Sequence, residues 1–272
     1  VNYQVIHSTV YDYTTSAALS LNEVCLVARG TSYQSVARHS FHTEPRDDYH
    51  RDRTDFFGNH WRLYSFEKPH HHLEITSKQT VEVNRSGRLG DGELSGGEPF
   101  LPPSPFVRWN PDMQAYGRAC FPQGRDAAEA LFDLNRRVFA DFTYDAKATQ
   151  IGTPVEEFFV KRRGVCQDFS HLLVALLRSL SIPARYVSGY LNTVPPPGKD
   201  KVFGADASHA WVAAWLPQLG WVDVDPTNGL VVGDGHVTLA WGRDYGDVAP
   251  LKGVVLGGGA QTLKVEVTVQ GL

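Results

Sequence analysis

GVCQDFSHLLVALLRSLSIPARYVSGYL, residues 164–191, passes from a glycine turn to a cysteine, then to a helical repeat, a proline stop and a run with strand character. Phe169, Leu172, Leu173, Leu176, Leu177 and Leu180 fall at i, i+3, i+4, i+7, i+8 and i+11, the apolar stripe of a helix lying on a core. The spacing predicts a helix that begins at or just after Cys166. It ends before Ile182, because Pro183 disfavours helix in the residue ahead of it. Cys166 then stands at a helix N-terminus, where unpaired N–H groups and the helix dipole favour negative charge. A thiol is nucleophilic as its thiolate, so this position makes Cys166 a candidate nucleophile facing whatever packs on the stripe.

Downstream, ARYVSGYLN, SHAWVAAWL and GWVDVDP read as three strands. Along the second, His209 shares a face with Trp211, Ala213 and Trp215. An imidazole there could take the thiol proton and return it to a leaving amine. It would need a partner on its second nitrogen, and Asp225, on the next strand and just before Pro226-Thr227, could accept that N–H. Asp223, two residues earlier on the same face, competes for the role, since an Asp before Pro-Thr also makes an ordinary turn. The tryptophans at 211, 215, 221 and 241 either line a cleft or fill the core.

Upstream, GRDAAEALFDLNRRVFADF (124–142) carries a helical stripe of Ala128, Leu131, Leu134, Val138 and Phe142. TPVEEFFVKRRG (153–164) reads as a second helix, with Thr153 as N-cap, Pro154 at the first position, Glu156 closing a capping box and Gly164 after the end. Residues 86–111 are dense in Gly, Pro and Ser and read as a linker. Before it, residues 1–85 read as strands: Tyr3, Val5, His7, Thr9 and Tyr11 alternate on one face, and 60–67 and 73–84 give further candidates. The expected architecture is α+β, with a β-rich domain over 1–85 and a core over 112–272.

Composition narrows the function. A net charge of -4 gives no general electrostatic reason for a nucleic acid or anionic membrane partner. The longest apolar runs, such as LLVALL, fall far short of the roughly 20 residues of a membrane span. The opening VNYQVIHSTVYDY has neither a basic nor an apolar leader region, so no signal peptide is expected. Cys25, Cys120 and Cys166 are too few and scattered for a disulfide framework, and none forms a zinc pair, so a cytoplasmic location fits. Cys25 and Cys120 read as packed thiols. Within HHH at 70–72 only His70 and His72 can share a face, so the triplet reads as a solvated strand end and not a metal site. His171 lies off the apolar stripe, exposed or bonded to a strand. Asp168 suits the first turn of its helix without chemistry.

GVCQDFSHLLVALLRSLSIPARYVSGYL, SHAWVAAWLPQLGWVDVDPTNG and GRDYGDVAPLKG, in this order, resemble the bacterial transglutaminase-like cysteine enzymes. The first 85 residues resemble the β-rich region that accompanies that core. The resemblance implies a papain-like α+β core, with helices packed on an antiparallel sheet, and a Cys-His-Asp triad of Cys166, His209 and Asp225. It also places RDYGDVAPLKG on the cleft rim. The expected activity is thiol-dependent hydrolysis of an amide or peptide through an acyl-thioester, with the oxyanion held by the Cys166 backbone N–H and a second donor left open. Transfer of the acyl group to an amine is the alternative, and a catalytically silent protein-binding module is the second. Trp211, Trp241 and Tyr245 are candidate cleft-lining residues. A peptide, protein or small amide is the expected partner, and no metal or organic cofactor is required. Calcium is not implied, since the chain has no D-x-D-x-D-G loop.

Overall fold

The computed structural model describes residues 1–85, 87–93, 95–193 and 208–272. Strand β1 (Asn2–Val24) is the spine of a seven-stranded sheet and is followed by β2 (Gln34–Glu44), β3 (Tyr49–Thr54), β4 (His60–Phe66) and β5 (His70–Val83). Five of its strands lie in the order β2-β5-β1-β4-β3. The alternation anticipated for β1 is real: Tyr3, Val5, His7 and Thr9 are all buried.

A helical segment follows, with α1 (Pro111–Arg118), α2 (Ala127–Asp141), β6 (Thr143–Tyr144), α3 (Val155–Lys161), β7 (Arg163–Gly164) and α4 (Cys166–Ser179). Asn110 caps α1, accepting the Met113 N–H at 2.9 Å, and Asp126 caps α2, accepting two backbone N–H groups. A second sheet comes next, from β8 (Ala184–Leu191), β9 (Ser208–Leu216), β10 (Gly220–Asp225), β11 (Leu230–Val231) and β12 (His236–Gly242), in the order β11-β10-β9-β8-β12. The chain closes with β13 (Leu251–Gly257) and β14 (Gln261–Gly271). The fold is therefore mixed, with a β-rich N-terminus and helices packed on an antiparallel sheet. Among the described residues, no helix is long and apolar enough to cross a membrane.

Both faces of the second sheet are covered. Val212, Ala214, Leu216, Val222 and Val224 meet the helices, while Tyr190, Val237 and Leu239 pack against Tyr3, Val5 and Val269 of the first sheet. A strand covered on both faces reads as a continuous buried run, and β8 is buried at every position but its last.

Three expectations need correction. The core over 112–272 does not include its own end: β13 and β14 pair with opposite halves of β1 and so complete the N-terminal sheet. Alternation in TLKVEVTVQ showed a half-buried strand but could not show which sheet it joins. The 86–111 linker is packed, with Phe100 and Val107 buried; positions 86 and 94 lie outside the described residues. In α3, Pro154 and not Thr153 is the N-cap, without a side-chain cap, and Arg162 ends the helix in the left-handed conformation at φ 55°. Gly164 has a different task, since a Cβ there would collide with the Asp168 carboxylate and the Phe158 ring. It permits the close approach through which α4 starts.

Candidate active site

The entry to α4 is fixed from both sides. Strand β7 pairs in parallel with β6, Tyr144 opposite Gly164, and so holds the chain just before the helix. Asp168, at the third helical position, accepts the Val165 N–H at 2.8 Å and the Thr149 hydroxyl at 2.6 Å. Valine has no acceptor to return the cap, so Asp168 supplies the side-chain half alone. Burial raises its pKa, against those two hydrogen bonds. Cys166 is the first residue of α4, half-buried, and packs in a cluster with Tyr186, Ala210, Ala240, Val248 and Tyr245. The N–H groups of a helix's first turn have no acceptor within the helix, and Cys166, as the first residue of α4, carries its thiol at that end.

His209 is the second residue of β9, opposite Gly189 of β8. Gly189 has no space for a side chain, because the Trp211 ring and the Val237 carbonyl lie against its Cα. The histidine Nε2 lies 2.7 Å from Asp225 Oδ2 and donates to it. That leaves Nδ1 for the thiol. Burial opposes a charge on His209, but hydrogen bonds with Asp225 and Cys166 outweigh it and raise the pKa to about 10. Thiol and imidazole therefore interact, with the imidazole anchored from behind.

Asp225 is completely buried. Its Oδ1 accepts the N–H groups of Thr227 and Asn228 at 3.0 and 3.2 Å, and its Oδ2 also accepts from Asn228 Nδ2 at 2.7 Å. Burial works against ionisation, yet the hydrogen bonds from His209 and His236 hold its carboxyl well below the usual carboxylate range. Asp223, the competing residue, is ion-paired with Arg85 at 2.9 Å and accepts from the Tyr33 hydroxyl at 3.4 Å.

One participant was not anticipated. His236, at the start of β12, is buried and places Nε2 3.2 Å from Asp225 Oδ2. The candidate ligand atoms of His209, Asp225 and His236 lie within 4.8 Å of one another, which is metal-site spacing. At 2.7 and 3.2 Å, however, both imidazoles serve the carboxylate as hydrogen-bond donors. In sequence His236 follows Gly235 with no spacing relation to Cys166 or His209, so nothing marked it.

The expected cleft-lining residues divide. Trp211 does not line an opening: it is fully buried, edge-on to His236 with ring centroids 5.3 Å apart. Trp241 is half-buried between two guanidinium groups, Arg29 at 3.6 Å and Arg185 at 3.7 Å from its ring. Tyr245 is half-buried in the Cys166 cluster. His171 is buried and not exposed, and its Nε2 accepts the Tyr245 N–H at 3.1 Å. Burial lowers its pKa to about 3, which suits an acceptor nitrogen. His70 is buried too, bonded to Ser20 at 2.8 Å, so the histidine triplet is not wholly solvated. Cys25 and Cys120 are buried and free, and burial pushes the Cys25 thiol up to about 12.

Comparison with known proteins gives the family of the chain. Residues 3–82 match the bacterial transglutaminase-like N-terminal region, and residues 115–226 match the core of the transglutaminase-like superfamily. An uncharacterized protein of Mycobacterium tuberculosis is 35% identical over 93% of this chain and 87% of its own length. A protein-glutamine gamma-glutamyltransferase of Pseudomonas aeruginosa is 37% identical over 35% of this chain and 14% of its own length. The crystal structure of a putative cysteine protease from Cytophaga hutchinsonii superposes with a TM-score of 0.78 at 22% identity, covering 100% of this chain and 91% of that one. The chain belongs to the transglutaminase-like superfamily and carries the N-terminal region of its bacterial members.

Proposed function

We propose that the protein is a thiol-dependent amide or peptide hydrolase in which Cys166 is the nucleophile, His209 the acid and base, and Asp225 the group that orients His209. The observation that carries this reading is the 2.7 Å bond from His209 Nε2 to a fully buried carboxylate, which leaves Nδ1 to the thiol. The Cys166 thiolate attacks the carbonyl carbon, a C–S bond forms, and the carbonyl electron pair moves to oxygen. The helix N-terminus behind the sulfur, beginning with the Cys166 N–H, stabilises that oxyanion. The pair returns, the C–N bond breaks, and protonated His209 gives its proton to the leaving amine. His209 then takes a proton from water as the water attacks the thioester, and the carboxylic acid leaves with the thiolate restored.

Acyl transfer to an amine is the second reading, favoured by the likeness of 35% of the chain to a glutamyltransferase. It differs only in the acceptor, which attacks the same thioester. Three free cysteines suit a reducing compartment, and a cytoplasmic location goes with the proposal. A glutamine-containing protein substrate, offered with and without a labelled primary amine, separates the readings. Hydrolysis predicts cleavage or deamidation that the amine does not suppress and that Cys166→Ala abolishes. Amine incorporation without hydrolysis would replace the first reading with the second.

A further inference from the structure

Asp225 serves two imidazoles. His209 and His236 both donate to Oδ2, at 2.7 and 3.2 Å, and Asn228 Nδ2 adds a third contact at 2.7 Å. With the two backbone N–H groups on Oδ1, five donors surround a carboxylate that has about four lone-pair directions. Their origins differ. Thr227 and Asn228 belong to the turn that leaves β10 and would follow Asp225 if that turn shifted. His236 comes from β12, which lies beyond β9 and β8 in the sheet order. It is the contact that ties the carboxylate to a distant part of the sheet.

The ring of His236 is itself held. It is 4% exposed, and the Trp211 ring meets it edge-on at 81°. Trp211 in turn sits in the space that Gly189 leaves empty. Among the described residues, His236 Nδ1 is buried without a hydrogen-bond partner. With Nε2 donating, Nδ1 carries the lone pair, and the opposite tautomer would bury an unpaired N–H and lose the bond to Asp225. The surroundings therefore select the donor form.

We infer that His236 is a positioning residue, which acts through Asp225 by holding the carboxylate where it orients His209 toward Cys166. The inference rests on the reading of Cys166 and His209 as the reacting pair. It assigns His236 no contact with substrate.

The test is alkylation of Cys166 by iodoacetamide, followed by mass spectrometry from pH 5 to 9.5, in the wild type, His236→Phe and His236→Gln, with Cys166→Ala as blank. Phe fills the site without a donor, and the Gln amide places an N–H near the position of imidazole Nε2. An oriented imidazole promotes the thiolate at low pH and becomes unnecessary at high pH. His236→Phe is therefore expected to react about tenfold more slowly at pH 6 and to converge on the wild type by pH 9, the effect of moving the profile by roughly one unit. His236→Gln is expected within about threefold of the wild type throughout. A Phe profile that overlays the wild type, a loss uniform across pH, or a folded Gln variant as slow as Phe would overturn the inference. If the Phe variant does not fold, the Gln profile decides alone by the same threefold criterion. Wild-type labelling at pH 6 no faster than that of a free thiol would overturn the reacting pair itself, and this inference with it.

Discussion

At the scale of single residues, the site depends on how one buried carboxylate is shared. Asp225 has no exposure, and its ionised form persists because every donor around it points inward. Asp225→Ala removes the acceptor of the His209 Nε2 proton and leaves that imidazole free to turn. Turnover is expected to fall by about 10³ to 10⁴, with KM little changed, because orientation of the base is lost and substrate contacts are not. Steady-state kinetics on the substrate that separates hydrolysis from transfer would show it, and a variant within threefold of the wild type would exclude the role. Of the three residues of the proposed triad, Cys166 was marked in the sequence by a helix start and His209 by a strand face beside tryptophans, whereas the choice of Asp225 over Asp223 came from the family resemblance alone. His236 was not marked, since its partner is reached only after β12 is laid two strands away from β9. The surroundings of Trp211 were hidden for the same reason. Alternation placed it on the face of His209, and only the missing side chain at Gly189, opposite His209, shows where the Trp211 ring goes.

Among the elements, α4 does most to position the chemistry, and its register is set in its first turn. Asp168 joins that turn to the preceding backbone through the Val165 N–H and to the 149–153 loop through Thr149. Asp168→Ala would leave the Val165 N–H without its acceptor and remove a cap, a change that costs about 1–3 kcal/mol. Urea denaturation is expected to show a loss in that range, and Cys166 labelling at pH 6 should slow because the helix start frays. A stable variant with unchanged labelling would show that β6 and β7 hold the start unaided. The length of α4 was plain in the sequence, since six apolar positions at helical spacing and one proline determine both its face and its end. The short α3 was placed one residue off. Thr153 accepts the Gln150 N–H at 2.9 Å and closes a turn ahead of the helix, and a hydroxyl before Pro reads alike in either use. The membership of β13 and β14 could not be read at all, for pairing between the two ends of the chain leaves no local trace.

Across the whole molecule, the second sheet is held between helices on one face and the N-terminal sheet on the other, and two histidines sit at buried junctions of this arrangement. His7 of β1 meets the Tyr190 hydroxyl of β8 at 3.1 Å, bridging the two sheets, while His171 of α4 holds the Tyr245 N–H on the loop that follows β12. Burial lowers the pKa of His7 to about 4 and that of His171 to about 3. Both lie below the ordinary histidine value of 6.5. Between that value and their own, the unfolded chain binds protons that the native chain refuses, so stability falls as pH drops through this window. The slope is about 1.4 kcal/mol per pH unit for each histidine. His209 behaves in the opposite sense. Its pKa is raised to about 10, so its contribution is complete below 6.5 and fades as pH climbs toward 10. The two effects meet near pH 6.5. Urea unfolding of the wild type is expected to show a decline of about 2–3 kcal/mol per unit between pH 6 and 4.5, twice that of a single buried histidine. Replacing His7 by Gln, which can still bond the Tyr190 hydroxyl but does not titrate, should roughly halve that slope. An unchanged slope in His7→Gln, or a wild type equally stable at pH 6 and 4.5, would show that the junction between the sheets admits the proton without opening.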